Sequence, residues 1–218
     1  MRVFVVIPVY NEGDAVRAVV SDVSRYVPAG DVVVVDDGSV PKLEPASVGD
    51  ARLLRHRINL GKGMALKTGC EHALSRGAEA IVLIDGDGQH QPGEIPRLIS
   101  ALADADIVFA ARELNRQMPA VRLAGNWVLN RSAGWLFRLD LQDIWCGFRA
   151  FRAEVFDKIV WDAHDYAVDV EMAVRAFQRG LKSREVQIGT VYHDAHKGVT
   201  VLDGLLLLCR LVGWRFTL

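Results

Sequence analysis

Cysteine is scarce in this chain of 218 residues, and neither sign of charge is in excess. Its three cysteines, Cys70, Cys146 and Cys209, are odd in number and far apart. This argues against a disulfide framework and indicates a reducing compartment. The chain has 26 Lys and Arg residues and 27 Asp and Glu residues, so its formal net charge is −1. A dedicated nucleic-acid binder needs a basic excess, and nucleic acid is therefore not an expected partner.

Long uncharged apolar runs are also missing, and no stretch is suited to span a bilayer. The apolar run that opens the chain is short and leads into polar residues 10–12, so no secretory signal is predicted. Repeats, low-complexity tracts and Pro/Gly/Ser-rich linkers are absent. Half of the residues are hydrophobic, which excludes a disordered chain. We expect one domain with a sizeable core.

Short apolar runs alternate with segments of helical period along the chain. The patterns predict strands at 3–7, 32–35, 52–55, 80–84, 107–111 and 185–192, and helices over 15–23, 61–76, 94–103, 121–139 and 168–179. This order predicts an α/β fold, with a mostly parallel sheet and helices on both faces. Ligands of such sheets bind outside the carboxyl ends of the strands.

Three of the predicted strand ends carry unusual polar residues. They are residues 8–12 (Pro-Val-Tyr-Asn-Glu), 36–39 (Asp-Asp-Gly-Ser) and 85–90 (Asp-Gly-Asp-Gly-Gln-His). Each one alone is compatible with an ordinary turn, because Asp, Asn and Gly are common turn residues. Carboxylates gathered at one edge of a sheet repel one another unless a cation joins them. The three loops together therefore favour a site that includes a cation.

The third loop offers hard oxygen ligands in Asp85, Asp87 and Gln89. Such ligands suit Mg²⁺ or Mn²⁺, which complete their shell with water and substrate phosphates. A calcium loop of the EF-hand type is the alternative, but His90 stands where that loop needs glycine. A dehydrogenase is disfavoured, because no Gly-x-Gly-x-x-Gly follows the first strand.

Four motifs in register resemble the family 2 glycosyltransferases of GT-A fold, and the resemblance covers nearly the whole chain. They are residues 7–12, 35–39, 59–63 (Asn-x-Gly-Lys-Gly) and 85–90. The second half is similar to the polyprenyl-phosphate (dolichyl-phosphate) mannose and glucose synthases. The matching positions there are Arg112, 118–119, Arg122, Asn126, Asn130, 143–151 and 168–172.

The resemblance implies a Rossmann-like GT-A domain followed by a tail. The domain would span 1–198, with a nucleotide-sugar half over 1–111 and an acceptor half over 112–198. The tail, residues 199–218, would form a C-terminal amphipathic helix. The chain departs from its close relatives near this point, because residues 198–201 lack the lysine of their Gly-x-Ser-Lys segment.

The resemblance also implies a role for each matching residue. The nucleotide sugar would be bound by Pro8, Tyr10, Glu12, Val34, Asp36, Lys62, Asp85, Gly86 and Asp87. The metal, Mg²⁺ or Mn²⁺, would be held by Asp85, Asp87 and Gln89. The acceptor phosphate would be bound by Arg112, Arg122, Asn126 and Lys197, and the catalytic set would be Asp87, Arg112, Arg122, Asn126 and Asp143.

Several of these residues have a second interpretation from the sequence alone. Without the resemblance, Arg112 and Arg122 would be assigned to a solvated helix face or an ion pair. Asp143 would be needed as a general base only for a hydroxyl acceptor, and it fits a loop cap or turn as readily. Lys197, with His193 and His196, either closes the site with positive charge or lies in a surface loop.

The implied activity is an inverting transfer of a hexose from GDP-mannose or a UDP-sugar to a polyprenyl or dolichyl phosphate. The metal would stabilise the leaving diphosphate. One alternative is a family 2 enzyme that acts on a saccharide or protein hydroxyl. The other is a non-catalytic nucleotide-sugar-binding protein, which the intact Asp85, Asp87 and Gln89 argue against.

The implied acceptor predicts a location at the cytoplasmic face of the membrane, as a peripheral protein. Residues 199–218 are rich in leucine, with Arg210 and Arg215 among the apolar side chains. This pattern is typical of an interfacial helix at anionic headgroups. A last core helix or a dimer contact is the alternative. The expected partners are the donor, the acceptor, the membrane surface and, through that surface, a membrane-anchored subunit.

Overall fold

The computed structural model describes residues 1–13, 15–112, 120–189 and 210–216, with only the backbone at 120–127 and 129. Its strands within these ranges are β1 (Val3–Val9), β2 (Val32–Asp36), β3 (Arg52–Arg55), β4 (Ala80–Leu83), β5 (Ile107–Arg112), β6 (Arg149–Arg152) and β7 (Ser183–Ile188). They form one sheet in the order β3-β2-β1-β4-β6-β5-β7. β6 runs antiparallel to β4 and β5, and the other pairs are parallel. The mostly parallel α/β fold is therefore confirmed.

Helices cover both faces of this sheet. They are α1 (Ala15–Val23), α2 (Lys62–Ser75), α3 (Ile95–Ala101), α4 (Ala120–Phe137), α5 (Phe156–Ile159) and α6 (Val168–Gln178). Alternate residues of β1 and β2 enter opposite cores: Val5 and Val34 pack with α1 and α3, while Val6 and Val33 pack with α2 and α6. Strands buried on both faces are apolar throughout, which explains their continuous valine runs.

Strand β6 was not predicted from the sequence. Its four residues begin and end with arginine, so they show no apolar run and no alternation that would indicate a strand. The strand forms because it fits between β4 and β5, pairing Leu83 with Arg149 and Ala80 with Arg152. The predicted strand 185–192 is observed as Ser183–Ile188, and its residues from 190 onward lie outside the described ranges.

A third core joins α4, α6 and the helical residues 210–216. Leu211 is fully buried there, against Val170 and Val174 of α6. Arg210 donates to both carboxylate oxygens of Asp165, at 2.8 and 2.9 Å. Within the described residues, no helix has the length and hydropathy needed to cross a membrane. The domain division at 198 stays a prediction, since residues 190–209 are outside the described part.

Candidate active site

The carboxyl ends of β1, β2, β4 and β5 meet at one edge of the sheet, because these strands share one direction. Hydrogen bonds join the loops there: Asp37 donates from its backbone N to Val9 O at 2.8 Å, and Asn11 N donates to Ser39 Oγ at 3.0 Å. A Cβ on Gly86 would lie 3.1 Å from Pro8 O. The structure therefore brings together the three polar loops that the sequence singled out.

Asp36 is buried and holds the loop that follows β2. Its Oδ1 accepts from Ser39 N at 2.9 Å, and its Oδ2 accepts from Leu43 N at 3.1 Å and Arg55 Nε at 2.9 Å. Burial by itself raises the pKa of this carboxyl, but these donors and the charge of Arg55 outweigh it and the pKa is lowered. Val34 is fully buried in β2. The nucleotide-binding roles of Asp36 and Val34 stay predictions.

Asp37 orders the loop that leads into α2, a role that sequence reasoning missed. Its carboxylate accepts from Leu60 N at 3.0 Å and Gly61 N at 2.7 Å, and it lies 2.6 Å from His56 Nδ1. Gly61 has φ +94°, and a Cβ there would lie 2.3 Å from His164 O. The glycine therefore allows the start of α2 to touch the segment before α6. This contact fixes Lys62, the first residue of the helix.

Lys62 lies between two carboxylates. Its Nζ is 2.7 Å from Asp85 Oδ1 and 2.9 Å from Asp169 Oδ2. Burial lowers the pKa of the lysine, but the two carboxylates outweigh that effect and raise it. For Asp85, burial raises the pKa, and the charge of Lys62 together with the contact to His90 outweighs it and lowers the pKa. Both groups are therefore charged at neutral pH.

Two further residues extend this contact into the core. Arg149 Nη2 lies 3.9 Å from Asp169 Oδ1, and the arginine is fully buried. Its Nε donates to Cys146 O at 2.9 Å and its Nη2 to Ile144 O at 2.8 Å. Sequence reasoning placed Arg149 and Asp169 in the matching segments 143–151 and 168–172 but assigned neither a role in the site. The available signal was a charged residue among apolar neighbours on α6, where Asp169 is 2% exposed.

The loop after β4 fits a divalent ion that shares its shell with phosphate. Asp85 and Asp87 present partly exposed carboxylates on one short loop, with Gln89 two residues on. Asp87 Oδ1 accepts from Gln89 N at 3.0 Å. Among the described residues, no group of three or more His, Cys, Asp or Glu side chains could hold a metal by itself. These hard oxygen donors suit Mg²⁺ or Mn²⁺, whose remaining ligands are water and phosphate.

Tyr10 and Tyr166 are exposed aromatic side chains at this edge of the sheet. Tyr10 directly follows β1 and is 46% exposed. The ring of Tyr166 lies 5.7 Å from Lys62 Nζ, close enough for a cation–π contact. Glu12 is partly buried in the loop after β1. These positions do not test the predicted donor-binding roles of Pro8, Tyr10 and Glu12, which stay predictions.

Arg112 ends β5 and forms a two-point ion pair with Asp143. Nε and Nη2 of the arginine lie 2.6 and 3.0 Å from the two oxygens of Asp143. Glu185 on β7 holds the loop of this aspartate by accepting from Gln142 N at 2.8 Å and Asp143 N at 3.3 Å. Asp143 thus orients Arg112, in keeping with the ion-pair interpretation of that arginine.

The remaining predicted acceptor residues are described only in part. Arg122 and Asn126 lie in the first part of α4, where only the backbone of 120–127 is described. Lys197 lies outside the described residues, as do His193 and His196. Cys146 is buried near Asp143, and burial raises the pKa of its thiol to about 12. That cysteine is therefore an unreactive core residue.

Comparison with known families decides the class of the protein. The sequence profile of glycosyl transferase family 2 matches residues 4–160. The chain belongs to this family. It is a glycosyltransferase, as the four motifs indicated, and the resemblance to the polyprenyl-phosphate branch of the family is also confirmed by its relatives.

Two of these relatives are enzymes named for transfer to a polyprenyl phosphate or polyprenol monophosphate. The undecaprenyl-phosphate mannosyltransferase of Micrococcus luteus is 33% identical, over 89% of this chain and 85% of the relative. The polyprenol monophosphomannose synthase of Mycolicibacterium smegmatis is 31% identical, over 93% of this chain and 82% of the relative.

Solved structures agree on the fold. The glucosyl-3-phosphoglycerate synthase of Mycobacterium tuberculosis, solved with Mn²⁺, UDP and glucosyl-3-phosphoglycerate, has a TM-score of 0.72 at 21% identity. The match covers 100% of this chain and 80% of that one. At this identity the likeness shows the fold of the family 2 glycosyltransferase.

Proposed function

We propose that this glycosyltransferase moves a hexose from a nucleotide sugar to a polyprenyl phosphate, with inversion at the anomeric carbon. The observation that carries the proposal is the pairing of Arg112 with Asp143 at the same sheet edge as the Asp85–Asp87 loop. A hydroxyl acceptor needs a carboxylate base, yet both oxygens of Asp143 already face the guanidinium of Arg112. A phosphate acceptor needs positive charge, which Arg112 brings to this edge.

On the donor side, the residues at the ends of β1, β2 and β4 would hold the nucleotide and its diphosphate. Asp85, Asp87 and Gln89 would bind Mg²⁺ or Mn²⁺, which supplies positive charge to the departing diphosphate. Lys62 adds a second, permanent positive charge beside Asp85 at 2.7 Å. UDP and Mn²⁺ in the structural relative support this assignment.

On the acceptor side, the lipid phosphate would be its own nucleophile. Its second pKa is about 6, so it is largely dianionic at neutral pH and needs no proton removed. Arg112 would hold the phosphate with charge-assisted hydrogen bonds, and Arg122, Asn126 and Lys197 would complete the site. Direct attack by one phosphate oxygen on the anomeric carbon breaks the bond to the diphosphate and inverts the centre. The polyprenyl-phosphate relatives support this acceptor.

The proposed function is tested with purified protein, a panel of labelled GDP- and UDP-sugars, and a short polyprenyl phosphate. We expect one donor to label the lipid fraction in Mn²⁺ or Mg²⁺, and labelling to stop in excess EDTA. Release of free sugar without labelled lipid, or no turnover of any donor, would contradict the proposal.

A further inference from the structure

A buried chain of alternating charges links the metal-binding loop to α6. Asp85, Lys62, Asp169 and Arg149 follow one another at 2.7, 2.9 and 3.9 Å. The side chains of Lys62, Asp169 and Arg149 are 11%, 4% and 0% exposed. Asp169 is not itself among the predicted donor or acceptor residues and contacts the predicted site through Lys62, so its burial there calls for an explanation.

The two carboxylates of Lys62 differ in how firmly they are held. Asp169 lies in the first turn of α6 beside Arg149, whose guanidinium stacks over the Phe109 ring at 5.1 Å and donates to backbone carbonyls. Asp85 lies in a loop, and its side chain is 25% exposed. The interior therefore fixes Asp169, whereas Asp85 is the partner that can turn toward a ligand.

This difference matters for the charge of Lys62 once Asp85 serves a divalent ion. The ammonium then keeps one of its two carboxylate partners, and a buried ammonium without a counter-ion is costly. Gly147 also packs closely against this pair, because a Cβ added there would lie 2.7 Å from Lys62 Nζ and 2.6 Å from Asp85 Oδ2. The backbone of Gly147 therefore limits the space in which the lysine can move. Asp169 is thus the contact that holds the ammonium beside the loop.

We propose that Asp169 is a positioning residue that acts through Lys62. It keeps the ammonium in the site as a cation for the donor diphosphate while Asp85 serves the divalent ion. The inference rests on the proposed function. It predicts the direction in which nucleotide affinity changes when Asp169 is substituted, and that direction is opposite to the one expected for a carboxylate that merely lies nearby. A negative charge near an anionic diphosphate repels it, so its removal alone would tighten nucleotide binding. Loss of a positioned lysine weakens binding instead.

The test is calorimetric titration of UDP and of GDP in Mn²⁺ buffer. The variants are Asp169→Asn, Lys62→Met, the double variant and the control Asp162→Asn, whose side chain is 88% exposed in an ion pair with Arg175. We expect Asp169→Asn to weaken nucleotide binding about tenfold and the control less than about twofold. The double variant should bind no more weakly than Lys62→Met, because both substitutions remove one interaction.

Binding by Asp169→Asn that equals or exceeds wild type would overturn the inference, as would losses that multiply in the double variant. Thermal unfolding identifies the variants that fold. A merely structural aspartate would lower the melting temperature and leave the affinity of folded protein unchanged. If Lys62→Met does not fold, the direction of the affinity change in Asp169→Asn decides. If Asp169→Asn does not fold, the nucleotide affinity of the double variant is compared with that of Lys62→Met. Wild type that binds neither nucleotide would count against the proposed function itself.

Discussion

Asp85 and Asp87 stand two residues apart on one loop, yet different contacts hold them. Asp85 is paired with Lys62 at 2.7 Å and lies 3.6 Å from His90 Nε2. Asp87 accepts from the backbone of Gln89 within its own loop. Substituting Asp85 therefore disturbs a buried ion pair, whereas substituting Asp87 changes the loop with little effect on the core. Asp87 is the cleaner position at which to test the divalent site.

Asp87→Ala should lower metal-stimulated glycosyl transfer by about a hundredfold or more, because a ligand for the ion beside the leaving group is lost. Its melting temperature should stay within a few degrees of wild type. Initial rates over a range of Mn²⁺ concentrations measure the effect. Asp104→Ala is the control, since Asp104 precedes β5 at the opposite edge and pairs with Arg184 in solvent. Full activity of the wild type in excess EDTA would refute the metal assignment.

Arg112 and Asp143 give a second test at the level of single residues. Arg112→Ala should raise the KM for lipid phosphate about tenfold or more and leave donor KM nearly unchanged, because charge-assisted bonds to phosphate are lost. Asp143→Asn should shift the same acceptor KM by a smaller factor, since it loosens the arginine. Arg184→Ala, an exposed arginine on β7, is the control.

Steady-state kinetics with each substrate varied in turn distinguish these roles. If Asp143→Asn instead lowers kcat strongly and removes the fall in rate that protonation of a carboxylate base causes at acidic pH, the aspartate is a general base. Loss of donor affinity in Arg112→Ala with unchanged acceptor kinetics would show that the arginine has been misassigned.

At the scale of elements, the loop after β2 owes its shape to the ionised Asp36. Its carboxylate takes two backbone N–H groups and Arg55. The folded-state pKa is lowered, so this group stabilises the fold above its unfolded-state pKa of about 4. That contribution is lost as the pH falls through the folded-state pKa.

Asp36→Asn should therefore be less stable than wild type at neutral pH. Its free energy of unfolding should also fall less steeply than that of wild type below about pH 4. Guanidinium unfolding at a series of pH values between neutral and acidic measures both effects. Asp50→Asn, in the exposed turn before β3, should follow the wild-type curve. Parallel curves for wild type and Asp36→Asn would contradict the assignment.

The sequence predicted elements well wherever local periodicity decides the structure. The valine runs of β1 and β2 are buried on both faces, and such runs can be recognised without tertiary information. β6 could not be predicted in this way, because its strand conformation comes from pairing with β4 and β5 across the fold. The helix boundaries, such as 120–137 against the predicted 121–139, differ by one or two residues.

The same limit applies to the site. Residues at the carboxyl ends of strands could be grouped from the sequence, because parallel strands bring those ends to one edge. Asp169 joins Lys62 across 107 residues of sequence, and the Arg112–Asp143 pair also spans two separate elements. No local pattern specifies such contacts. They become visible only when α6 and the loop before β6 are in place.

For the whole molecule, residues 210–216 combine both interpretations of the tail. Leu211 is buried against α6, as a last core helix requires, while Val212 and Phe216 are 52% and 85% exposed. Trp135 on α4 is 83% exposed as well. We propose that these exposed side chains touch the membrane surface from which a polyprenyl phosphate would be taken, with Arg215 near anionic headgroups.

The variant Val212→Ser/Phe216→Ser should bind anionic lipid vesicles at least about tenfold more weakly than wild type, because apolar area no longer enters the interface. Co-sedimentation measures this binding without deleting the buried Leu211. Tyr26→Ser replaces another exposed apolar residue, 43% exposed after α1, and should bind as wild type does. Equal binding by all three proteins, or none by wild type, would reject membrane contact through this segment.

The central claim is that the acceptor is a phosphate and needs no base from the protein. Its most direct test compares initial rates with a short polyprenyl phosphate and the polyprenol of the same chain length, using the donor that turns over. We predict glycosyl phosphodiester product from the phosphate, with inverted anomeric configuration, and at least about a thousandfold slower reaction of the alcohol. Comparable rates with the two acceptors, or product from the alcohol alone, would contradict the account.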